Sequence, residues 1–232
     1  LEEPLRHAQE RLAPLLVRRP VVHLAYHWFP TVLGTVCMAT SAHGVSLLTW
    51  EAQARQWLST LGRQAGVEVH EDEAALQAFR SELQAYLTGT CEHLPWPIDE
   101  RCMRSAFQRD VLQLTATIPS GAVMSYQGLA AALGQPQAVR AVAQALGHNP
   151  LAIVIPCHRV IGQTGHLTGY AGGLERKCTL LSHEGIPLLT RPGGVFINKE
   201  RMYVGWRTER AYCKPHCPSL AGLAPGDRLL MS

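Results

Sequence analysis

The residues best equipped for chemistry lie in the run IPCHRV, Ile155 to Val160, where a cysteine, a histidine and an arginine are consecutive. A thiol is a strong nucleophile only as thiolate, and a neighbouring cation or imidazole favours that form. His158 is a neighbour of the right kind for Cys157. Pro156 fixes the backbone before the cysteine, and Arg159 is expected to bring positive charge to the strand mouth. A lone Cys-His dipeptide is also compatible with a buried, inert cysteine, so the flanking elements must decide between the two.

Upstream, LAIVI (151–155) is an apolar run that reads as a strand delivering Cys157, with Asn149-Pro150 as the turn before it. Two helices precede that turn. SYQGLAAALG ends at Gly134, and PQAVRAVAQALGHN starts with Pro136 in its first turn. Such a pair joined at a glycine is a helix-turn-helix candidate. Its second helix carries small residues at Ala138, Ala141, Ala143 and Ala145 and a single arginine, Arg140. A smooth face with one long cation can approach a nucleic-acid groove and push one side chain into the base stack; close helix packing with a solvated arginine would use the same residues. Downstream, GQTGHLTGYAGGLERK is a glycine-rich loop leading into the helix ERKCTLLSHEG. It has neither GKS/T nor a dinucleotide GxGxxG, so it suits a flat, bulky group beside Cys157 better than nucleotide phosphates.

The chain has 232 residues, 47% hydrophobic and 17% charged, enough for two modest domains or one large one. No apolar run approaches the roughly 20 residues that span a bilayer, and the start at Leu1 lacks the order of a signal peptide. A cytoplasmic protein of bacterial type is expected, although a chain beginning without methionine need not start at its natural residue. Seven irregularly spaced cysteines argue for free thiols. Charge is divided unevenly, with a net of −5 over residues 1–100 and +8 over residues 101–232. A basic half on a near-neutral protein points to a polyanion, with nucleic acid the leading partner.

The remaining pattern predicts an α/β protein. Residues 1–20 read as an amphipathic N-terminal extension. From Val21, VVHLAYHWF, TVCMATS and HGVSLLTW alternate as three antiparallel strands, followed by helices at 51–65 and 73–88 with the short strand VEVHE between them. LPWPIDE (94–100) marks the boundary with a basic second half, which opens on a helix from Ser105 to Ala116 and whose helix-turn-helix domain is expected to be mostly helical. The expected division is 1–20, an α/β module at 21–98, a helix-turn-helix domain with the active cysteine at 99–188, and a C-terminal extension at 189–232.

SYQGLA, RAVAQALGHNP, IPCHRVI, GYAGGLERK and LLSHEG together resemble the O6-alkylguanine-DNA alkyltransferase family, in its order and spacing. The resemblance spans about residues 21–186 and is strongest at 105–184. It implies stoichiometric repair, in which an alkyl group passes once from O6 of guanine, and less readily O4 of thymine, to the protein's own cysteine. The partner implied is double-stranded DNA, bound through the minor groove with the damaged nucleotide flipped out; no cofactor is required, no membrane is involved, and a monomer is expected. By the same resemblance Cys157 is the alkyl acceptor and His158 its base acting through water, with Glu184 orienting the histidine. Tyr126 donates to the departing base, Asn149 is the hinge that ties the helix pair to the cysteine, and Arg140 fills the gap in the stack beside Ala141. Val160, Tyr170, Ala171 and Gly172 form the pocket wall and loop, and Arg159 is placed with the DNA-binding set. Arg104-Ser105-Ala106 departs from the family's frequent Gly-Thr before Phe107-Gln108. The N-terminal half matches through pattern and a TVLG turn alone, implying fold but no chemistry. Its His23 and His27 read as core or surface residues rather than metal ligands.

The tail MYVGWRTERAYCKPHCPSLAG, Met202 to Gly222, resembles half of the zinc domain in the adaptive-response relatives of that family. Cys213 and Cys217 match two of four thiolate ligands, and His216 could add at most a strained third, so the pair is a candidate partial zinc site only. Two other functions remain in view. One is damage binding without transfer, as in relatives that replace the cysteine; the other is a cysteine hydrolase built on Cys157, His158 and Glu184, although a base adjacent in sequence is unusual there.

Overall fold

The computed structural model describes residues 21–61, 66–91, 93–206, 212–213 and 228–231. The predicted helix over 1–20, His216 and Cys217 lie outside them.

Strands β1 (Val22–Phe29), β2 (Val36–Ser41) and β3 (Gly44–Trp50) form the expected antiparallel meander. The sheet has four strands rather than three, because β4 (Val67–Glu71) pairs in parallel with the free edge of β1 in the order β3-β2-β1-β4. A parallel partner needs a crossover, which α1 (Glu51–Leu61) supplies between β3 and β4. Helix α2 (Glu73–Leu87) follows, its first turn capped by the Asp72 carboxylate accepting from the Ala75 amide.

The second half contains α3 (Ala106–Ala116), β5 (Ala122–Ser125), α4 (Tyr126–Ala132), α5 (Val139–Gly147), β6 (Val160–Ile161) and α6 (Leu174–His183). The unusual Arg104-Ser105-Ala106 connection starts α3 well. Ser105 Oγ accepts from the Gln108 amide at 3.1 Å, and Gln108 Oε1 accepts from the Arg104 amide at 2.7 Å, a reciprocal arrangement close to a capping box. The same Gln108 donates Nε2 to the carbonyls of Ala145 and His148 and so locks α3 to the end of α5. Pro136 lies in the turn between α4 and α5, with Ala138 as the N-cap of α5, so the second helix starts later than its sequence suggested.

One prediction for this half fails. LAIVI forms turns and not a strand, with Leu151 bridging to Leu48 and Ile153 held at φ 71°. Leu151, Ile153 and Ile155 are all buried, and a run buried on every side cannot be assigned to strand or turn from its periodicity. Within 99–188 helices outnumber strands, and the second half as a whole gains most of its strands from the C-terminal extension. It carries a five-stranded sheet in the order β10-β9-β11-β5-β6, built with β9 (Tyr203–Trp206), β10 (Tyr212–Cys213) and β11 (Arg228–Met231), and a separate hairpin of β7 (Leu188–Arg191) and β8 (Gly194–Ile197). The C-terminal extension thereby pairs directly with β5, through Leu230 and Met231 opposite Val123 and Ala122. One apolar cluster runs from Phe29 and Trp50 in the first half to Cys157 and Leu180 in the second, so the boundary expected at 98 crosses a shared core.

Candidate active site

The Cys157 thiol is 6% exposed and opens into a cleft of about 600 Å³. It sits in a single 3-10 turn, Cys157–Arg159, directly before β6. On one side the cleft is bordered by α5, through Arg140, Ala143 and Gly147, and on the other by Thr168 to Ala171, with Tyr126 between them. Arg140, Ala141 and Ala143 are exposed on α5, whereas Ala145 is buried, so the smooth face is narrower than the four alanines suggested.

Asn149 organises the turn beneath the thiol. Its Nδ2 donates to the carbonyl of Ile155 at 2.9 Å, more distantly to that of Leu151, and to Cys157 Sγ at 3.1 Å, while Oδ1 accepts from the Leu151 amide. Burial pushes the thiol pKa up. The Asn149 hydrogen bond, the Lys177 ammonium and the local amides push it down. The His158 ring is not among these influences, contrary to the expectation that it would lower the pKa as a direct neighbour.

His158 instead turns inward, wholly buried, with Nε2 2.8 Å from Glu184 Oε1. A carboxylate can only accept, so Nε2 carries the proton and Nδ1 keeps its lone pair. That Nδ1 is buried and has no hydrogen-bond partner in the protein. Burial pushes the imidazole pKa down against the pull of Glu184, which keeps a neutral base next to the cysteine in sequence.

Glu184, the C-cap of α6, accepts from four donors: the Tyr86 hydroxyl at 2.7 Å, His158, Arg159 Nε at 2.9 Å and Arg159 Nη2 at 2.8 Å. Burial alone would raise its pKa; the His158 and Arg159 hydrogen bonds override this and hold the carboxyl at about 2. Arg159 therefore differs from expectation. It is 7% exposed, its third nitrogen donates to the Ile118 carbonyl, and it braces Glu184 rather than reaching a partner at the mouth. Val160 is corrected likewise. It lies fully buried behind the wall, and its carbonyl accepts from Lys177 Nζ at 2.6 Å.

Tyr126 is half-buried at the head of α4 and lines the cleft, and burial pushes its hydroxyl pKa up. Tyr170 stands edge-on to His158 with ring centroids 6.4 Å apart. Ala171 lines the cleft, but Gly172 lies behind it, where an added Cβ would come 2.1 Å from Trp50 Nε1. The loop is tied to the first half through Gln53 Nε2 to the Ala171 carbonyl at 2.8 Å. Arg176 donates to the carbonyls of Gly172 and Leu33 and lies 4.7 Å over the Trp50 ring.

Sequence reasoning missed Tyr86, Trp50, Gln53 and Lys177. The first three come from the half read as fold alone, and no local signal marks them. Lys177 had one: it occupies the apolar stripe Leu174, Lys177, Cys178, Leu181 of α6, where a lysine must find buried partners. It is fully buried, its ammonium donates to the Val160 and Thr168 carbonyls, burial pushes its pKa down to about 8, and its charge pulls the Cys157 thiol pKa down. By contrast, burial and nearby acids push the thiols of Cys37 and Cys102 up to about 12. Among the described residues, no group of three or more His, Cys, Asp or Glu side chains is placed to hold a metal ion, and none of the helices is long and apolar enough to cross a membrane. His23 and His27 pair with Glu68 and Glu71 on neighbouring strand positions.

Fold and site define a mixed α/β protein in which a cleft-facing thiol accepts from a buried Asn and lies next in sequence to a buried His–Glu–Arg network. Residues 106–186 match the family model described as the DNA-binding domain of 6-O-methylguanine DNA methyltransferase. The methylated-DNA–protein-cysteine methyltransferase of Salmonella typhimurium is 61% identical over 83 residues, 36% of this chain and 48% of that protein, so the chain spans about half the length of this relative. The protein of that name from Mycolicibacterium paratuberculosis is 48% identical over 114 residues, 49% of this chain and 68% of its own. The crystal structure of Mycobacterium tuberculosis OGT in complex with DNA superposes with a TM-score of 0.56 at 32% identity, covering 70% of this chain and 92% of that one. The chain belongs to the methylated-DNA–protein-cysteine methyltransferase family.

Proposed function

We propose that the protein repairs DNA by taking an alkyl group from O6 of guanine, and less readily O4 of thymine, onto Cys157, once per molecule. The observation that carries this reading is a cleft-facing thiol that accepts from Asn149 Nδ2, next in sequence to a Glu184-bound His158 whose Nδ1 lone pair has no partner in the protein. His158 Nδ1 takes the thiol proton, relayed by solvent. The sulfur then attacks the alkyl carbon in line, the S–C bond forms as the C–O6 bond breaks, and the departing guanine gains a proton from the direction of Tyr126. Nothing returns the thioether to the thiol, so the step is stoichiometric.

Helices α4 and α5 serve in this proposal as a helix-turn-helix. The exposed Ala141 and Ala143 let α5 enter the minor groove, and Arg140 occupies the place of the extruded nucleotide, a flip that costs a few kcal/mol. The DNA complex of the mycobacterial relative and the basic second half of the chain support this partner. Tyr170 and Ala171 wall the base, while Gly172, Arg159 and Val160 act from behind the wall.

The test is incubation with a duplex carrying labelled O6-methylguanine. Label is expected to move to the protein at one equivalent; catalytic turnover, or binding without transfer, would refute the proposal. Cys157→Ala should abolish transfer and keep DNA binding. Arg140→Ala should impair repair of the duplex at least tenfold more than reaction with a free O6-benzylguanine nucleobase.

A further inference from the structure

The cleft wall between Gly162 and Thr168 leaves the 3-10 turn of Cys157 and returns to Tyr170, and Gly162, Gln163 and Thr168 all face the cleft. Within residues 106–186 the excursion is held by its own turn bonds between Gly162, Gly165 and His166, by Lys177 Nζ donating to the Thr168 carbonyl, and by Leu167 packing with Val123 and Ile161. It is held as well by the β7–β8 hairpin and the turn after it, which lie beyond the stretch that the family model matches. The Leu167 amide donates to the Val195 carbonyl, and the Ile197 amide to the Gly165 carbonyl, both at 2.9 Å, so the excursion meets β8 in a single antiparallel bridge at His166–Phe196. The His166 ring lies on Phe196 with centroids 4.7 Å apart. Leu167, Ile197 and Met202 share one buried cluster with Val123 and Ile161. Lys199 closes the arrangement. Its stem lies against Gly165, where a Cβ would be 3.0 Å from Cε, and its ammonium donates to the Gln163 carbonyl at 3.1 Å.

We infer that the C-terminal hairpin is a buttress that sets the position of the 162–168 cleft wall, with Lys199 as a positioning residue for the cysteine site. The inference rests on the alkyl-transfer reading for its consequence but not for its structural content. A backbone loop facing solvent on one side has no side-chain packing there to fix it, and an ammonium bound to its carbonyl supplies a charge-assisted hydrogen bond at the free end. A wall set in this way holds the flipped base at the distance needed for in-line attack, where a displacement of about 1 Å can cost on the order of 100-fold in rate.

The test uses the full chain with Lys199→Met, Lys199→Arg and Phe196→Ala, comparing amide hydrogen exchange of residues 162–168, transfer from an O6-methylguanine duplex, transfer from free O6-benzylguanine, and affinity for undamaged duplex across salt concentrations. Lys199→Met should speed exchange of 162–168 at least fivefold and slow both transfers at least fivefold, with undamaged-duplex affinity unchanged. Lys199→Arg, which keeps the donor, should restore both rates to within twofold. Phe196→Ala should speed the same amides, and it decides the point independently if Lys199→Met fails to fold. Unchanged exchange would overturn the inference. So would a loss confined to the duplex with the salt slope reduced by about one, which marks a phosphate contact. If the wild type transfers nothing, the alkyl-transfer reading fails, and the exchange data still decide the buttress.

Discussion

At the scale of single residues, Glu184 is the pivot, because one buried carboxylate satisfies a tyrosine hydroxyl, an imidazole and two guanidinium nitrogens. Its folded pKa of about 2 lies below the unfolded value of 4.5. The stabilisation is therefore fully present above about pH 4.5 and is lost as the pH falls toward 2. Glu184→Gln leaves the Arg159 cation buried without its anion, which costs about 3–5 kcal/mol. Urea unfolding at pH 7 should show that loss, and the same titration between pH 4.5 and 2 should be flatter in the variant than in the wild type. An equally steep acid limb in both would mean that other carboxylates govern acid unfolding.

At the scale of elements, the loop before α6 decides whether the cleft has a wall. Gly172 permits the backbone to rest on the Trp50 indole, and an alanine there would place its Cβ 2.1 Å from Nε1, too close for either group to stay. Gly172→Ala is therefore expected to lower alkyl transfer at least tenfold. Adding Trp50→Ala should recover part of that loss, because it removes the obstructing ring; a double variant no faster than Gly172→Ala alone would place the effect elsewhere. The helical elements were legible in advance. Apolar spacing and the Ser105 and Gly134 signals located α3 and α4 within a residue or two, and α1, α2 and α6 follow the same logic. LAIVI was not legible, since its burial comes from neighbours on every side rather than from one face of a regular element.

At the scale of the whole molecule, the two halves share a core and a site. The Tyr86 hydroxyl reaches from the end of α2 to Glu184, 98 residues away in sequence. Tyr86→Phe removes one donor from a buried carboxylate and should cost about 1–3 kcal/mol, while slowing transfer from duplex and free base alike. A rate unchanged within twofold, measured on folded protein, would confine Tyr86 to stability. The motifs around Cys157 were readable from order and spacing because the thiol, the asparagine and the imidazole all lie within ten residues of one another. Local sequence therefore determined the candidate thiol, the family and the type of most helices. Tertiary structure alone decided that Arg159 braces Glu184 instead of facing a partner, that a buried Lys177 and not the His158 ring pulls the thiol pKa down, and that both the first half and the C-terminal hairpin hold the cleft wall. Those outcomes depend on which groups lose water together on folding, and a buried charge takes whatever partner the packed chain brings within hydrogen-bond reach, however distant in sequence.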